Sequence, residues 1–188
     1  SSKNDYVIRV IGSKIDLNRF YGNVDTAAVI EELIELSKPD LNKKTLFLWP
    51  EGILPNIDKN ELKNFDYLFS KKFNENHLIG IGINSNQKKN QKEEYFNSFS
   101  FYDHQLNLVN TYNKVNLVPF GEFLPMEKIL RKIGLRSLTN NYQSFSSGRT
   151  REIISINANS IKIKILPIIC YEIIYSGQIF DDHNFDYI

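Results

Sequence analysis

The sequence predicts a mixed α/β domain, and two observations carry that prediction. Short apolar segments rich in β-branched residues alternate with amphipathic segments of helical spacing over the first half of the chain. Pairs of strand-like segments, joined by short polar turns, follow in the second half. Strand–helix alternation followed by hairpins is typical of a mixed sheet covered by helices. The chain has no internal repeat and no evident boundary, so we expect one domain over residues 1–188.

Five elements are predicted in the first half of the chain. Strands are expected over residues 6–11, 45–49 and 77–83, and helices over 25–37 and 60–73. On the first helix, the apolar residues placed on one side are Ala28, Val29, Leu33 and Leu36. On the second helix they are Leu62, Phe65, Leu68 and Phe69.

Two hairpins and a loop are predicted in the remainder. Residues 84–94 are rich in Asn, Gln and Lys, which favours a solvated loop. The alternating segment 95–102 is expected to pair with 106–112 across a three-residue turn. Residues 157–160 are expected to turn a second hairpin between 153–156 and 161–165.

Composition excludes several classes of function. With 41% hydrophobic residues among 188, the chain can form a substantial core. The 23 basic and 22 acidic residues leave a net charge of +1, which argues against nucleic acid as a partner. A single cysteine excludes an intrachain disulfide, and neither zinc-ligand spacing nor a phosphate-binding glycine loop is present, so no metal or cofactor is expected. No apolar run approaches the roughly 18 residues of a membrane span, and residues 1–5 do not resemble a signal peptide.

That single cysteine, Cys170, follows the apolar run 165–169, which has the composition of a buried strand. A thiol at the end of such a strand can be held rigidly and partly exposed, and its thiolate is a strong nucleophile. The alternative, and for an isolated cysteine the more common case, is a small core residue.

Glu51 and Lys114 occupy comparable positions. Glu51 follows the apolar segment 45–49 between Pro50 and Gly52, so it should lie at a strand end, and Lys114 closes the segment 106–112. Each also has an ordinary alternative: a turn glutamate and a solvated lysine. Together with Cys170 they form a coherent set, because a carboxylate can take the thiol proton and an ammonium can stabilise thiolate and oxyanion.

These motifs resemble those of the nitrilase, or carbon–nitrogen hydrolase, superfamily. Within it, residues 112–114 followed by the block 117–125 (LVPFGEFLP) are similar to the bacterial apolipoprotein N-acyltransferases. The dipeptide Tyr171-Glu172 after Cys170 fits the same branch. The resemblance covers residues 6–188 and implies an αββα sandwich with mixed sheets. It further implies that C-terminal elements and membrane helices of the family lie outside this sequence.

The resemblance also implies an activity. Cys170 would take a fatty acyl chain from a phospholipid as a thioester and pass it to the N-terminal amine of a diacylglyceryl-cysteine apolipoprotein. Glu51 would act as base and Lys114 would stabilise the oxyanion, with Glu122 orienting one of them. Tyr171 and Glu172 would shape the pocket, although packing is an equal alternative for Tyr171. The site would face the periplasm at the bacterial inner membrane surface.

Two other interpretations stay open at this point. The first keeps the chemistry but makes the protein a soluble nitrilase-like amidase that hydrolyses small amides. The second is a catalytically idle scaffold in which Cys170 is buried and inert.

One segment is expected to meet the membrane. Residues 123–145 follow the motif that holds Lys114 and Glu122, and they carry many apolar residues interleaved with basic ones. We expect them to form a mobile flap that admits the acyl chain, with 126–133 as a short interfacial helix. The alternative is an ordinary helix packed on the core.

Overall fold

The described part of the computed structural model comprises residues 6–12, 25–89, 92–119, 121–123, 125, 144–158, 161–173 and 186. Its centre is a five-stranded mixed sheet of order β1-β2-β3-β6-β7. The strands are β1 Val7–Val10, β2 Thr45–Glu51, β3 His77–Gly82, β6 Ser98–Asp103 and β7 Leu108–Asn113. The first three are parallel, and β6 and β7 continue the sheet antiparallel to β3. The α/β class is therefore confirmed.

Helix α1, Thr26–Ser37, begins where predicted. Asp25 caps it, because its carboxylate accepts the backbone N–H groups of Ala27 and Ala28 at 3.0 and 3.3 Å. The predicted buried side is partly wrong: Ala28 is exposed and Leu36 is 43% exposed. The side chains that pack on the sheet are Val29, Ile30, Leu33, Ile34 and Ser37. The predicted and the observed buried sets share Val29 and Leu33. The orientation of the helix on the sheet decides which of the other apolar residues are buried.

The predicted helix over 60–73 is broken in the structure. A 3-10 helix, Glu61–Phe65, runs into a single α-helical turn, α2 Asp66–Phe69. The Asp58 carboxylate accepts the N–H groups of Asn60 and Glu61 and so fixes the first turn. Leu62 and Phe69 are buried as expected, while Phe65 and Leu68 are partly buried. These apolar residues are buried or partly buried although the helix is not continuous.

The solvated loop predicted over 84–94 is wrong. Strands β4 Ser85–Lys89 and β5 Lys92–Phe96 form a two-stranded antiparallel sheet. Polar residues line most of this ribbon, so the alternation of apolar and polar side chains on which strand prediction depends is missing. The ribbon begins with the pair Ser85 and Phe96. Ser85 follows soon after β3 and Phe96 lies just before β6, so the ribbon extends the pairing of those two strands.

Both predicted hairpins are present. β6 pairs with β7, and β8 Ile154–Ala158 pairs with β9 Ile161–Ile165. The β8–β9 hairpin covers one face of the central sheet through an apolar cluster that includes Leu46, Leu78 and Phe101. The helices cover the opposite face. The described residues thus form successive layers of helix, sheet and sheet, in the order predicted for the αββα sandwich.

The helix-side core contains the single tryptophan. Trp49 is 2% exposed, its indole N–H donates to Ser37 Oγ at 3.0 Å, and its ring lies 5.5 Å from that of Phe69. Burial of a large ring with its polar atom satisfied fastens β2 to α1.

The apolar run before Cys170 is not a strand, contrary to prediction. β9 ends at Ile165, residues 166–169 have no regular structure, and residues 170–173 form one 3-10 turn. Pro167 cannot donate to a ladder, and the N–H of Ile169 donates to the Glu172 carboxylate instead of to a strand. None of the helices in the described ranges is long and apolar enough to cross a membrane.

Candidate active site

Glu51 lies at the end of β2, as predicted. The register of β2 with β3 pairs Trp49 with Ile81 and then Glu51 with Gly82, skipping Pro50. Gly82 permits this close approach, because a Cβ there would lie 2.5 Å from Glu51 Cα. Gly52, with φ of 67°, then turns the chain out of the sheet. The Glu51 side chain is exposed at this edge.

Lys114 follows β7 directly and is buried, being 1% exposed. Its N–H donates to Asn97 O and its C=O accepts from Gly148 N–H, both at 2.8 Å. Its ammonium lies 3.0 Å from Glu122 Oε1. The ordinary alternative of a solvated surface lysine is therefore wrong. A buried ammonium requires a charged partner, and Glu122 supplies it.

Asn97 connects the two predicted acids. Its side-chain amide donates to Glu51 Oε1 at 2.7 Å and to Glu122 Oε1 at 2.6 Å. The other oxygen of Glu122 accepts the N–H of Val118 at 2.8 Å. Glu51, Glu122 and Lys114 are therefore joined in one hydrogen-bonded network.

Cys170 is an exposed free thiol. Its φ of 52° lies in the left-handed region, which a non-glycine residue adopts at a cost of about 1 kcal/mol or more. The conformation turns the chain sharply between Ile169 and Tyr171. Tyr171 is 56% exposed, so it does not pack in the core.

Glu172 is fully buried and ties this turn to the loop after Lys114. Its carboxylate accepts the N–H of Ile169 at 2.9 Å and those of Val115 and Asn116 at 3.0 Å each. The residue before Cys170 and the residues after Lys114 are therefore bound to one side chain. No direct contact of Cys170 with Glu51 or Lys114 is among the hydrogen bonds and ion pairs of the described residues.

Two more side chains complete the surroundings of Glu172. The Tyr112 hydroxyl donates to both of its oxygens, at 2.9 and 3.1 Å, and the Arg151 guanidinium lies 3.3 Å from Oε1. Burial, with the Glu172 charge adding to it, raises the pKa of Tyr112 to about 12, so the phenol remains a donor. Five groups therefore donate to the buried Glu172 carboxylate, which satisfies its capacity to accept hydrogen bonds.

Sequence reasoning missed Asn97, Tyr112 and Arg151. Asn97 meets Glu51 and Glu122 across 46 and 25 positions of the chain. Arg151 reaches Glu172 across 21 positions. The local sequence pattern does not indicate such distant partners. The one available signal is that Asn97 stands among aromatic residues at alternate positions of the segment 95–102.

A partly apolar cavity of about 480 Å³ opens at the loop that follows Lys114. It is lined by Val115, Asn116, Leu117, Phe123, Phe145 and Ser147. Phe145 is held by its N–H, which donates to Glu122 O at 2.8 Å. The predicted flap falls largely on residues 124 and 126–143, which lie outside the described residues. The part of the chain that the structure describes contains no group of three acidic, histidine or cysteine residues placed to hold a metal ion.

Comparison with known proteins gives a consistent result. No protein-family model matches the chain. The apolipoprotein N-acyltransferase of Wigglesworthia glossinidia brevipalpis is 31% identical over 185 residues, covering 92% of this chain and 34% of that protein. The apolipoprotein N-acyltransferase of Brucella suis biovar 1 is 28% identical over 178 residues, covering 92% and 33%. The chain therefore spans about a third of the length of the curated relatives it matches.

A solved structure supports the fold. The crystal structure of an N-terminal amidase superposes with a TM-score of 0.53 at 12% identity, covering 88% of this chain and 40% of that one. The chain is thus similar in sequence to the apolipoprotein N-acyltransferases and shares the α/β fold of that amidase.

Proposed function

We propose that this chain is the catalytic part of an apolipoprotein N-acyltransferase, with Glu51, Lys114 and Cys170 as its catalytic residues. The observation that carries the proposal is the buried Lys114 ammonium, which Glu122 and Asn97 join to Glu51. Glu172 joins the following residues to the turn of the exposed Cys170 thiol. Two hydrogen-bonded sets, one that includes Glu51 and Lys114 and one around Glu172, thus meet at the peptide bond between Lys114 and Val115, and this supports the assignment of the three residues to one site.

The first half-reaction forms a thioester. The Cys170 thiol gives its proton to Glu51, and the sulfur attacks the ester carbonyl of a phospholipid. The Lys114 ammonium stabilises the oxyanion of the tetrahedral intermediate. The carbon–oxygen bond then breaks, and the leaving lysophospholipid oxygen takes the proton back from Glu51.

The second half-reaction transfers the acyl chain. The N-terminal amine of a diacylglyceryl-cysteine apolipoprotein attacks the thioester carbonyl and loses a proton to Glu51. The carbon–sulfur bond breaks, an amide forms, and the proton returns to the Cys170 sulfur. Bond making and proton transfer balance without an oxidant, reductant or metal.

The cavity at the loop that follows Lys114 is suited to the acyl chain. Val115, Leu117, Phe123 and Phe145 supply apolar walls, and Val115 directly follows Lys114 in the chain. This favours a lipid donor over the small amides of the alternative interpretation. The scaffold interpretation required a buried thiol, and Cys170 is exposed. We place the reaction at the periplasmic side of the bacterial inner membrane by analogy with the family.

The test is to trap the acyl-enzyme. Full-length protein in phospholipid vesicles, without acceptor, should carry one fatty acyl group on the peptide containing Cys170, detected by mass spectrometry and released by hydroxylamine. Cys170→Ala should carry none, Lys114→Ala should form it about a hundredfold or more slowly, and the exposed Lys164→Ala serves as the matched control. Acylation that persists in Cys170→Ala would overturn the assignment. Hydrolysis of small amides without acylation from phospholipid would favour the amidase.

A further inference from the structure

We infer that Asn97 is a positioning residue of this site, which holds Glu51 through one oxygen and leaves the other to receive the thiol proton. The inference rests on the proposed function of Glu51 as the base. It starts from the two carboxylates that accept from the Asn97 amide, of which only Glu122 has an ion pair with Lys114 among the described residues. The ammonium contacts Glu122, so the donor to Glu51 comes from Asn97.

The orientation of the Asn97 amide follows from its partners. Ionised carboxylates only accept hydrogen bonds, so the NH₂ group must face Glu51 and Glu122 and the amide oxygen must face away. The distances of 2.7 and 2.6 Å are those of hydrogen bonds to charged acceptors. Asn97 is 9% exposed, so water competes little for these donors.

The backbone fixes this amide relative to Lys114. Asn97 lies between β5 and β6, and its C=O accepts the Lys114 N–H at 2.8 Å. The next residue, Ser98, is fully buried and donates to Asn113 Oδ1 at 2.8 Å. Residues 97–98 and 113–114 are thus joined by two hydrogen bonds beside the amide, so the NH₂ group is held in place before substrate binds.

The consequence concerns the two oxygens of Glu51. Oε1 accepts from Asn97, whereas Oε2 has no hydrogen-bond partner among the residues that the structure describes. The lone pairs on Oε2 are therefore the ones available to the thiol of Cys170. Without Asn97, the exposed Glu51 side chain is free to rotate among its rotamers and to bind water, and the base loses its orientation.

The test compares Asn97→Ala and Asn97→Asp with Ser100→Ala, a buried substitution on the same sheet whose hydroxyl contacts Thr111 and not the acids. The readout is the rate of iodoacetamide alkylation at Cys170 in the full-length protein, followed from pH 5 to 9 by mass spectrometry of that peptide. Asn97→Ala should lower the rate at neutral pH about tenfold or more, as expected for loss of a hydrogen bond to a charged group. Ser100→Ala should match the wild type.

The relative alkylation rates of Asn97→Ala and Asn97→Asp separate a positioning role from a packing role. Asp has the shape of Asn, so a packing role predicts that Asn97→Asp is milder than Asn97→Ala. The positioning role predicts the reverse, because a third carboxylate is placed against two others. In a Glu51→Gln background, Asn97→Ala should add almost no further loss, since its effect acts through Glu51. Equal losses in both backgrounds, or Asn97→Asp milder than Asn97→Ala, would overturn the inference.

This readout needs no lipid, so it also separates the inference from the proposed function. Alkylation that depends on Asn97 in a protein that forms no acyl thioester would leave the inference standing and remove the acyltransferase assignment. If Asn97→Ala forms the acyl thioester at the wild-type rate and has an unchanged alkylation profile, the inference about Asn97 is overturned and the acyltransferase assignment stands.

Discussion

The carboxylate of Glu172 receives the backbone N–H of Val115 at 3.0 Å, and so binds the turn that carries Cys170 to the residue that follows Lys114. This buried contact spans 57 positions of the chain. The stability of the turn at Cys170 therefore depends on Glu172.

Glu172→Gln should be strongly destabilising. The amide replaces one acceptor oxygen by a donor that faces N–H groups, and it leaves Arg151 without its charged partner. Breaking a buried pair of this kind costs roughly 3 kcal/mol, which urea unfolding would measure. The exposed Glu152→Gln, whose carboxylate contacts Thr150, is the control and should change the free energy of unfolding little. Equal values for the two variants would contradict the role of Glu172.

Removal of both members of the Lys114–Glu122 pair should separate stability from catalysis. Lys114→Met and Glu122→Gln each leave an unmatched buried group, so each should lower the free energy of unfolding. The double variant should recover part of that loss because no charge of the pair remains, and yet acyl-enzyme formation should stay about a hundredfold or more slower than in the wild type. A double variant that recovers activity together with stability would show that the ammonium acts only structurally.

Gly148 should tolerate no side chain. A Cβ there would lie 2.1 Å from the carbonyl oxygen of Asn113, which precedes Lys114. Gly148→Ala should therefore displace one of the two segments, at a cost of about 1–3 kcal/mol, and slow the formation of the acyl-enzyme. Gly12→Ala, where nothing lies within 4 Å of the added Cβ, is the matched control and should behave as wild type in urea unfolding.

Cys170→Gly should be more stable than Cys170→Ala. Both variants lack the thiol and should be inactive, but the φ of 52° suits glycine and strains alanine. The expected difference is about 1 kcal/mol in the free energy of unfolding. Thermal or urea unfolding of the two proteins side by side gives the comparison. If alanine proves equal to glycine, the left-handed conformation is not maintained in solution.

Acid should weaken the fold through His77. This side chain is buried, its Nδ1 accepts the Asn74 N–H at 3.2 Å, and its Nε2 lies 3.0 Å from Asp40 O. Burial lowers the pKa of His77 below its usual 6.5. Below pH 6.5 the unfolded chain therefore binds a proton at His77 that the folded protein does not bind. The free energy of unfolding is at its full value above pH 6.5 and falls as the pH drops below it, by at most about 1.4 kcal/mol per pH unit. Urea unfolding from pH 8 to 5 should show this slope, and His77→Gln should reduce it.

The sequence predicted the strands that are marked by apolar residues, and it missed a polar ribbon and the contacts between residues distant in the chain. The position of Glu51 at the end of β2 follows from an apolar segment broken by Pro50, and that of Lys114 just after β7 from a strand-like segment closed by a charge. The β4–β5 ribbon was missed because its side chains are polar on both sides. The 3-10 turn at Cys170 depends on the hydrogen bonds that the Glu172 carboxylate accepts from Ile169 and Val115. The bond to Val115 is set by the packing of the fold and not by the local sequence pattern.

The burial of Trp49 gives the chain a built-in optical probe. It is the only tryptophan in the sequence, it lies two residues before Glu51, and it is packed against Phe69 with its N–H bound to Ser37. An indole held out of water emits at shorter wavelength than one in solvent. The fluorescence of this chain therefore reports on the attachment of β2, the strand that ends at Glu51, to helix α1.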